Sequence, residues 1–157
     1  MKYLKLFEER EIEHQYLEDD ALFKLKDFVD DFIEKLDIDN QIDNLKLSNF
    51  THDFDYGSIW DELVVKGNYN TDTNIYRQVD ELFRKAFHPT PAVRNSLSKL
   101  LDRKYNALGI EDKLDKKLID LFEKNPQKYK KVADNIYISG DVKDACEWIL
   151  SSDKYNL

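Results

Sequence analysis

The clearest hydrophobic pattern in the chain lies between residues 17 and 36. Apolar side chains recur there at the i, i+3, i+4 spacing of one helix face, and the other positions are almost all Asp, Glu or Lys. The apolar positions are Leu17, Ala21, Leu22, Leu25, Phe28, Val29, Phe32, Ile33 and Leu36. This spacing predicts a long amphipathic helix packed on a core. A shorter and less regular pattern indicates an earlier helix over residues 3–16.

The hydrophobic period changes to two in the middle of the chain. Apolar and polar positions alternate over residues 45–49, and an apolar run at 63–65 is followed by glycine and asparagine. The polar segment 51–61 between them suits a turn. The pattern therefore predicts two short antiparallel strands, and residues 136–138 are the candidate for a third.

Helical spacing returns after residue 74 and continues almost to the C-terminus. It predicts helices over 75–87, from Thr90 and Pro91 to Gly109, over 114–122, through Tyr129 and Val132, and from Gly140 and Asp141 to residue 150. Thr90 and Pro91 form an N-cap and first-turn pair, Gly109 suits a left-handed helix end, and Asp141 is the predicted cap of the last helix. The predicted fold class is α+β, mainly α, with five to six helices and a small antiparallel sheet of two to three short strands.

The distribution of charge divides the chain into two regions. Residues 1–62 carry 7 basic and 18 acidic side chains, a net −11, whereas residues 63–157 carry 17 and 14, a net +3. With four glycines and three prolines and no linker, the 157 residues predict a single domain with an acidic N-terminal region, 1–62, and a mildly basic helical region, 63–157. Such an acidic field repels nucleic acid phosphates and favours partners with a basic surface.

The chain also carries signals about its location. Its longest apolar runs are a few residues long, far short of the roughly 20 needed to span a membrane, and acidic residues follow the first seven positions directly. We therefore expect a cytoplasmic protein that does not enter a membrane. Cys146 is the single cysteine, which excludes an internal disulfide, and its neighbours predict a buried position.

The best candidate for chemistry is the segment around His52. An imidazole beside Asp53 and Asp55 could hold a divalent metal or act as acid and base, with His88 and an anion contact from Arg94 completing a small metal-dependent hydrolase or transferase. In a strand, however, His52 would point away from both carboxylates. A solvated turn is the favoured interpretation, so no catalytic residue, metal ligand or cofactor is assigned.

Aromatic residues are concentrated around this acidic segment. They are Phe50, Phe54, Tyr56 and Trp60. Aromatic side chains ringed by charge are frequent anchors of protein–protein contacts, but the same residues could close the core over a small sheet. The sequence leaves both interpretations open.

The first eight residues, Met1 to Glu8, resemble the starts of many small bacteriophage reading frames, and the abundance of Lys, Asn, Asp and Tyr is typical of an AT-rich genome. The resemblance implies a phage or mobile-element origin. It carries no functional residue over to this chain.

These observations favour a non-enzymatic, acidic protein-binding domain, such as an inhibitor or immunity-type protein that occludes a basic surface of a protein partner. The predicted contact residues are Asp30, Asp31, Glu34, Asp53, Asp55 and Trp60. Long-range attraction would speed encounter, and a few aromatic side chains would supply most of the affinity. The alternatives are the small metal-dependent enzyme and a structural or accessory virion protein.

Overall fold

The structure, a computed structural model, describes residues 15–66, 74–84 and 90–155. Their regular structure is entirely helical. The α-helices are α1 (Asp19–Leu36), α2 (Ile38–Asp43), α3 (Tyr56–Trp60), α4 (Ile75–Phe83), α5 (Pro91–Ala107), α6 (Ile110–Lys124), α7 (Pro126–Val132) and α8 (Gly140–Tyr155), with a 3₁₀ turn at Leu47–Asn49 and a π turn at Asp61–Val65. The prediction of an α+β fold with an antiparallel sheet is wrong, because these residues contain no strand.

The described chain falls into two compact units. Unit 1 consists of residues 15–36, 64–66, 74–84 and 90–108, and unit 2 consists of residues 37–63 and 109–155. Each unit therefore combines segments that are distant in sequence. The prediction of one domain over residues 1–157 stays a prediction.

Unit 1 is built on two long helices, α1 and α5, which pack against each other. The periodic stripe of α1 buries Leu25, Val29, Phe32 and Ile33, and that of α5 buries Val93, Leu97, Leu100 and Leu101. Two acidic residues in the first turn of α1 and a lysine in its last turn complement the helix dipole. Asp37 then ends the helix in the left-handed conformation, with φ 51°.

Unit 2 is organised around α6, which packs against α2, α3, α7 and α8. Its buried stripe consists of Ile110, Leu114, Leu118 and Phe122. The surrounding helices α2, α3 and α7 are five to seven residues long. Helices this short are unstable alone, so their stability depends on packing against α6.

Several predicted helix ends are confirmed. The Thr90 hydroxyl accepts a hydrogen bond from the Val93 backbone N–H at 3.4 Å, Pro91 is the first residue of α5, and Gly109 has φ 62°. The cap of α8 differs from the prediction. The Oγ of Ser139, not the carboxylate of Asp141, accepts from the Val142 N–H, at 3.3 Å.

The three predicted strands have other structures. The alternating segment 45–49 ends in the 3₁₀ turn, and the apolar run 63–65 lies in the π turn. Residues 136–138 do alternate, since Ile136 and Ile138 are buried and Tyr137 is exposed, but they form no strand. A short apolar run does not distinguish a strand from a buried turn, and an alternating segment becomes a strand only when a partner backbone lies beside it.

Two predicted helices extend beyond the described residues. The helix proposed for residues 3–16 lies almost wholly outside them. The helix proposed for residues 75–87 is confirmed as far as Phe83, where Arg84 takes the left-handed conformation with φ 48°. Residues 85–87 lie outside the described part of the chain.

Candidate functional site

The exposed face of α1 is the most acidic helical surface that the fold of unit 1 creates. The helix carries six acidic and three basic side chains, and its apolar stripe is turned into the core. Asp27, Asp31 and Glu34 are exposed. Because the buried stripe fixes the rotation of the helix about its axis, these carboxylates must face solvent.

Phe23 interrupts this acidic surface. Its side chain is 64% exposed, although most large apolar side chains of the described residues are buried. Asp27, Asp30 and Glu34 follow at i+4, i+7 and i+11, which places them on the same face of α1 as Phe23. An exposed aromatic ring therefore lies within a row of carboxylates.

A groove of about 330 Å³ lies beside Phe23, between α1 and the second half of α5. Its apolar lining comes from Leu22, Phe23, Val29, Leu100 and Ala107. A volume of this size accommodates one or two large apolar side chains or a small ligand. The groove thus offers an apolar contact next to the acidic row.

The margins of the groove carry different charges. Asp19, Lys26 and Asp30 border it on α1, and Arg103 and Lys104 border it on α5. Lys104 Nζ forms an ion pair with Asp30 Oδ1 at 2.6 Å, which connects the two helices at this point. The acidic surface therefore belongs to the α1 side, and the α5 side has a basic edge.

The sequence-predicted contact residues are divided between the two units. Asp30, Asp31 and Glu34 share α1 in unit 1, whereas Asp53, Asp55 and Trp60 belong to unit 2. Asp31, Glu34 and Asp53 are exposed, and Asp30 is half-buried in its ion pair with Lys104. The three residues of unit 1 lie together on α1.

Asp55 and Trp60 stabilise unit 2, Asp55 as a helix cap and Trp60 as a core residue. The Asp55 carboxylate accepts a hydrogen bond from the Ser58 backbone N–H at 2.8 Å and so caps α3. Hydrogen bonds from Ser58 hold the pKa of Asp55 below its usual value, because they stabilise the charged form. Trp60 is 5% exposed, and Phe50 and Tyr56 are buried with it, so these aromatics close the core of unit 2.

Two of the residues proposed for metal or acid–base chemistry, His52 and Asp55, make hydrogen bonds to the backbone in unit 2. Nε2 of His52 donates to the backbone carbonyl oxygen of Asp134, and Asp55 is occupied as a cap. Arg94 is exposed on α5 in unit 1, and His88 lies outside the described residues. Over residues 15–66, 74–84 and 90–155, no three His, Cys, Asp or Glu side chains are grouped to hold a metal ion.

Unit 2 contains a polar cluster that the sequence did not indicate. The hydroxyls of Tyr56 and Ser139 both donate to Asp115 Oδ1, the Ser139 contact at 3.0 Å. Burial, followed by the Asp115 carboxylate, raises the pKa of Tyr56 well above its usual value. The cluster joins α3, α6 and the start of α8, so it is a stabilising network within unit 2.

Phe23 was also missed as a site residue, although the sequence contained a signal for it. Phe23 does not fit the i, i+3, i+4 stripe of α1, and an apolar residue outside the stripe of an amphipathic helix must face solvent or a partner. The same reasoning identifies Trp148 on α8, which is 70% exposed. Both positions could have been found by asking which aromatics the helical pattern leaves out.

Comparison with protein-family models, curated protein sequences and solved structures finds no match to this chain.

In the described part of the chain, every helix is too short or too polar to cross a membrane.

Proposed function

We propose that this protein is a binding module that captures a basic, amphipathic helical segment of a partner protein on unit 1. The observation that carries the proposal is Phe23, an exposed aromatic side chain that lines an apolar groove and shares a face of α1 with several carboxylates. Occlusion of the captured segment would be the mechanism of an inhibitor or immunity-type protein.

The apolar part of the interaction is assigned to the groove between α1 and α5. An amphipathic helix docks by inserting side chains from one face into such a groove, with anchors at helical spacing. Val29 and Leu100 line the groove and are buried core residues, so this part of its lining is in place without a partner. Binding to a preformed groove costs less conformational entropy than binding that must order a loop.

The electrostatic part is assigned to the exposed carboxylates of α1. Asp27, Asp31 and Glu34 favour lysine or arginine side chains along one edge of the bound helix. Arg103 on the opposite margin disfavours a second row of basic side chains there. The proposed partner helix is therefore basic on the side that faces α1, and this asymmetry specifies its orientation.

The proposal is tested by titrating the protein with a synthetic amphipathic helix of leucine and lysine. A peptide of the same composition with scrambled order, which has no apolar face, serves as the ligand control. Wild-type protein should bind the amphipathic peptide and not the scrambled one. Phe23→Ala should weaken binding roughly tenfold, the effect of losing a central aromatic anchor worth about 1.4 kcal/mol.

Leu82→Ala is the matched control for Phe23→Ala. Leu82 is 42% exposed on α4 in the same unit, away from the groove lining, and its loss should leave the affinity unchanged. Equal affinities of wild type and Phe23→Ala would overturn the assignment of the groove.

The charge contribution is measured separately by the dependence of affinity on salt. Affinity should fall as ionic strength rises from low to physiological values, and the fall should be shallower in the double variant Asp27→Asn, Glu34→Gln. Asp112→Asn, Glu123→Gln removes the same charge from exposed positions of α6 in unit 2 and is the control. Binding that does not weaken with salt would remove the electrostatic part of the proposal.

A further inference from the structure

Trp148 is the most exposed large apolar side chain of the described residues, at 70%. It lies on α8 in unit 2, whose core-facing side buries Val142 and Cys146. Cys146 precedes Trp148 by two positions, which places the two side chains on opposite faces of the helix. The fold of unit 2 therefore leaves this indole to solvent.

The surface around the indole is acidic. Asp144 and Asp141 precede Trp148 by four and seven residues, so both lie on its face of α8, and both are exposed. Ala145 and Ser151, which border the same face, are small and leave the ring accessible. Lys143 is exposed but lies five positions before Trp148, towards the other side of the helix.

The neighbouring helix α7 limits the size of this acidic surface. It packs against α8, and its Lys128, Lys130 and Lys131 are exposed. Burial, followed by electrostatic interaction with Glu147, Cys146, Asp134 and Asp144, raises the pKa of Tyr129 on α7. A long polybasic segment would extend over these lysines and be repelled by them, whereas one cationic side chain needs only the surface next to the indole.

We infer that Trp148, Asp144 and Asp141 form a receptor for one arginine side chain presented by a partner protein. The planar guanidinium group can stack on the indole face while its N–H groups donate to the carboxylates, a combination that lysine cannot reproduce. The charge of the two carboxylates is complementary to the guanidinium group. This contact lies in unit 2 and does not depend on the groove proposed for unit 1.

The test is a titration of the whole protein with a short peptide containing one arginine, followed by NMR of the tryptophan indole N–H signals. Two controls replace the arginine with lysine or with citrulline, which keeps the planar shape without the charge. Trp60 is buried and provides an internal reference signal. Trp148→Phe identifies the signal of Trp148 by its disappearance.

The arginine peptide should shift the Trp148 signal and leave that of Trp60 in place. We expect binding several-fold weaker for the lysine peptide, and absent for citrulline. Asp144→Asn should weaken arginine binding about threefold and Trp148→Ala roughly tenfold, while Phe23→Ala should change nothing. Trp148→Ala should also keep the thermal stability of the wild type, since its side chain is exposed.

Three results would overturn the inference: no shift of the Trp148 signal, equal binding of the citrulline peptide, or unchanged affinity in Trp148→Ala measured by calorimetry. Weaker binding of the leucine–lysine peptide in Phe23→Ala, with arginine binding unchanged, would support both proposals. The two peptide titrations therefore test the two proposals independently.

Discussion

The two units reach stability by different means. In unit 1, α1 and α5 are 18 and 17 residues long, and most of the burial follows from their regular apolar stripes. In unit 2, three short helices surround α6, and a polar cluster of Tyr56, Asp115 and Ser139 joins one of them, α3, to α6 and the start of α8. Long helices can be specified by periodicity alone, whereas short ones depend on side chains from distant parts of the chain.

Replacing one phenylalanine in each unit gives the largest expected contrast. Phe122 is 1% exposed and packs edge-on against Tyr129, with ring centroids 5.1 Å apart. Phe122→Ala should lower the free energy of unfolding by about 3–5 kcal/mol, because it removes a large buried ring and leaves a cavity. Phe23→Ala should change it by less than about 0.5 kcal/mol. Chemical denaturation of both variants measures the difference, and similar losses would contradict the assigned burial.

Removing the shared acceptor of unit 2 should give the next largest effect. Asp115→Ala leaves the hydroxyls of Tyr56 and Ser139 without their partner, at a cost of about 2–3 kcal/mol. Tyr56→Phe removes a single hydroxyl and should cost about 1 kcal/mol. In the double variant Asp115→Ala, Tyr56→Phe, the loss of unfolding free energy should be smaller than the sum of the two single losses. The reason is that both substitutions remove the same hydrogen bond. Strict additivity in denaturation experiments would show that the cluster is not coupled.

The same cluster predicts an alkaline limit to stability. The folded state raises the pKa of Tyr56 above its unfolded value of 10.0, so the folded state retains a proton that the unfolded state releases. The stabilisation is complete below about pH 10 and is lost as pH rises further, by about 1.4 kcal/mol for each pH unit. Tyr56→Phe should flatten this fall in thermal unfolding measured between pH 9 and 11, a range set by the tyrosine pKa. An unchanged slope would exclude Tyr56 as the titrating group.

The smallest expected effect belongs to the ion pair of unit 1. Lys104 and Asp30 are each about one-third exposed, so solvent screens their attraction. Lys104→Ala should cost less than about 1 kcal/mol, and added salt should reduce the difference from wild type. Comparing the losses of unfolding free energy in Lys104→Ala and Asp115→Ala tests whether polar contacts stabilise unit 2 more than unit 1. A larger loss for Lys104→Ala would reverse that conclusion.

Much of the helical structure was predictable from the sequence. The stripe of α1, the Thr90–Pro91 start of α5, its end at Gly109 and the course of α6 all depend on interactions within a few residues. The predicted burial of Cys146 is also confirmed, and burial raises the pKa of its thiol to about 11. Such local preferences are largely independent of the rest of the fold.

The candidate site was predicted less well. The carboxylates of α1 stay predicted contact residues, and Trp60, for which the sequence left both a contact and a core position open, is buried. Local sequence around Trp60 gave equal support to both positions, and only packing within unit 2 decides between them. The groove was not predicted, because it exists only after α5 packs beside α1, and Phe23 was missed although its position outside the apolar stripe of α1 was visible in the sequence.

By itself, the sequence determined which segments form α1 and α4 to α8, but not the short helices α2 and α3, and it determined the excess of acidic charge in residues 1–62. Both are properties of neighbouring residues or of composition. The tertiary structure decided that segments 45–49, 63–65 and 136–138 form no sheet, which side chain caps α8, and which aromatics remain exposed. These outcomes depend on contacts with residues far away in the sequence, such as the hydrogen bond from Tyr56 to Asp115. Hydrophobic periodicity does not indicate which distant residues will be in contact.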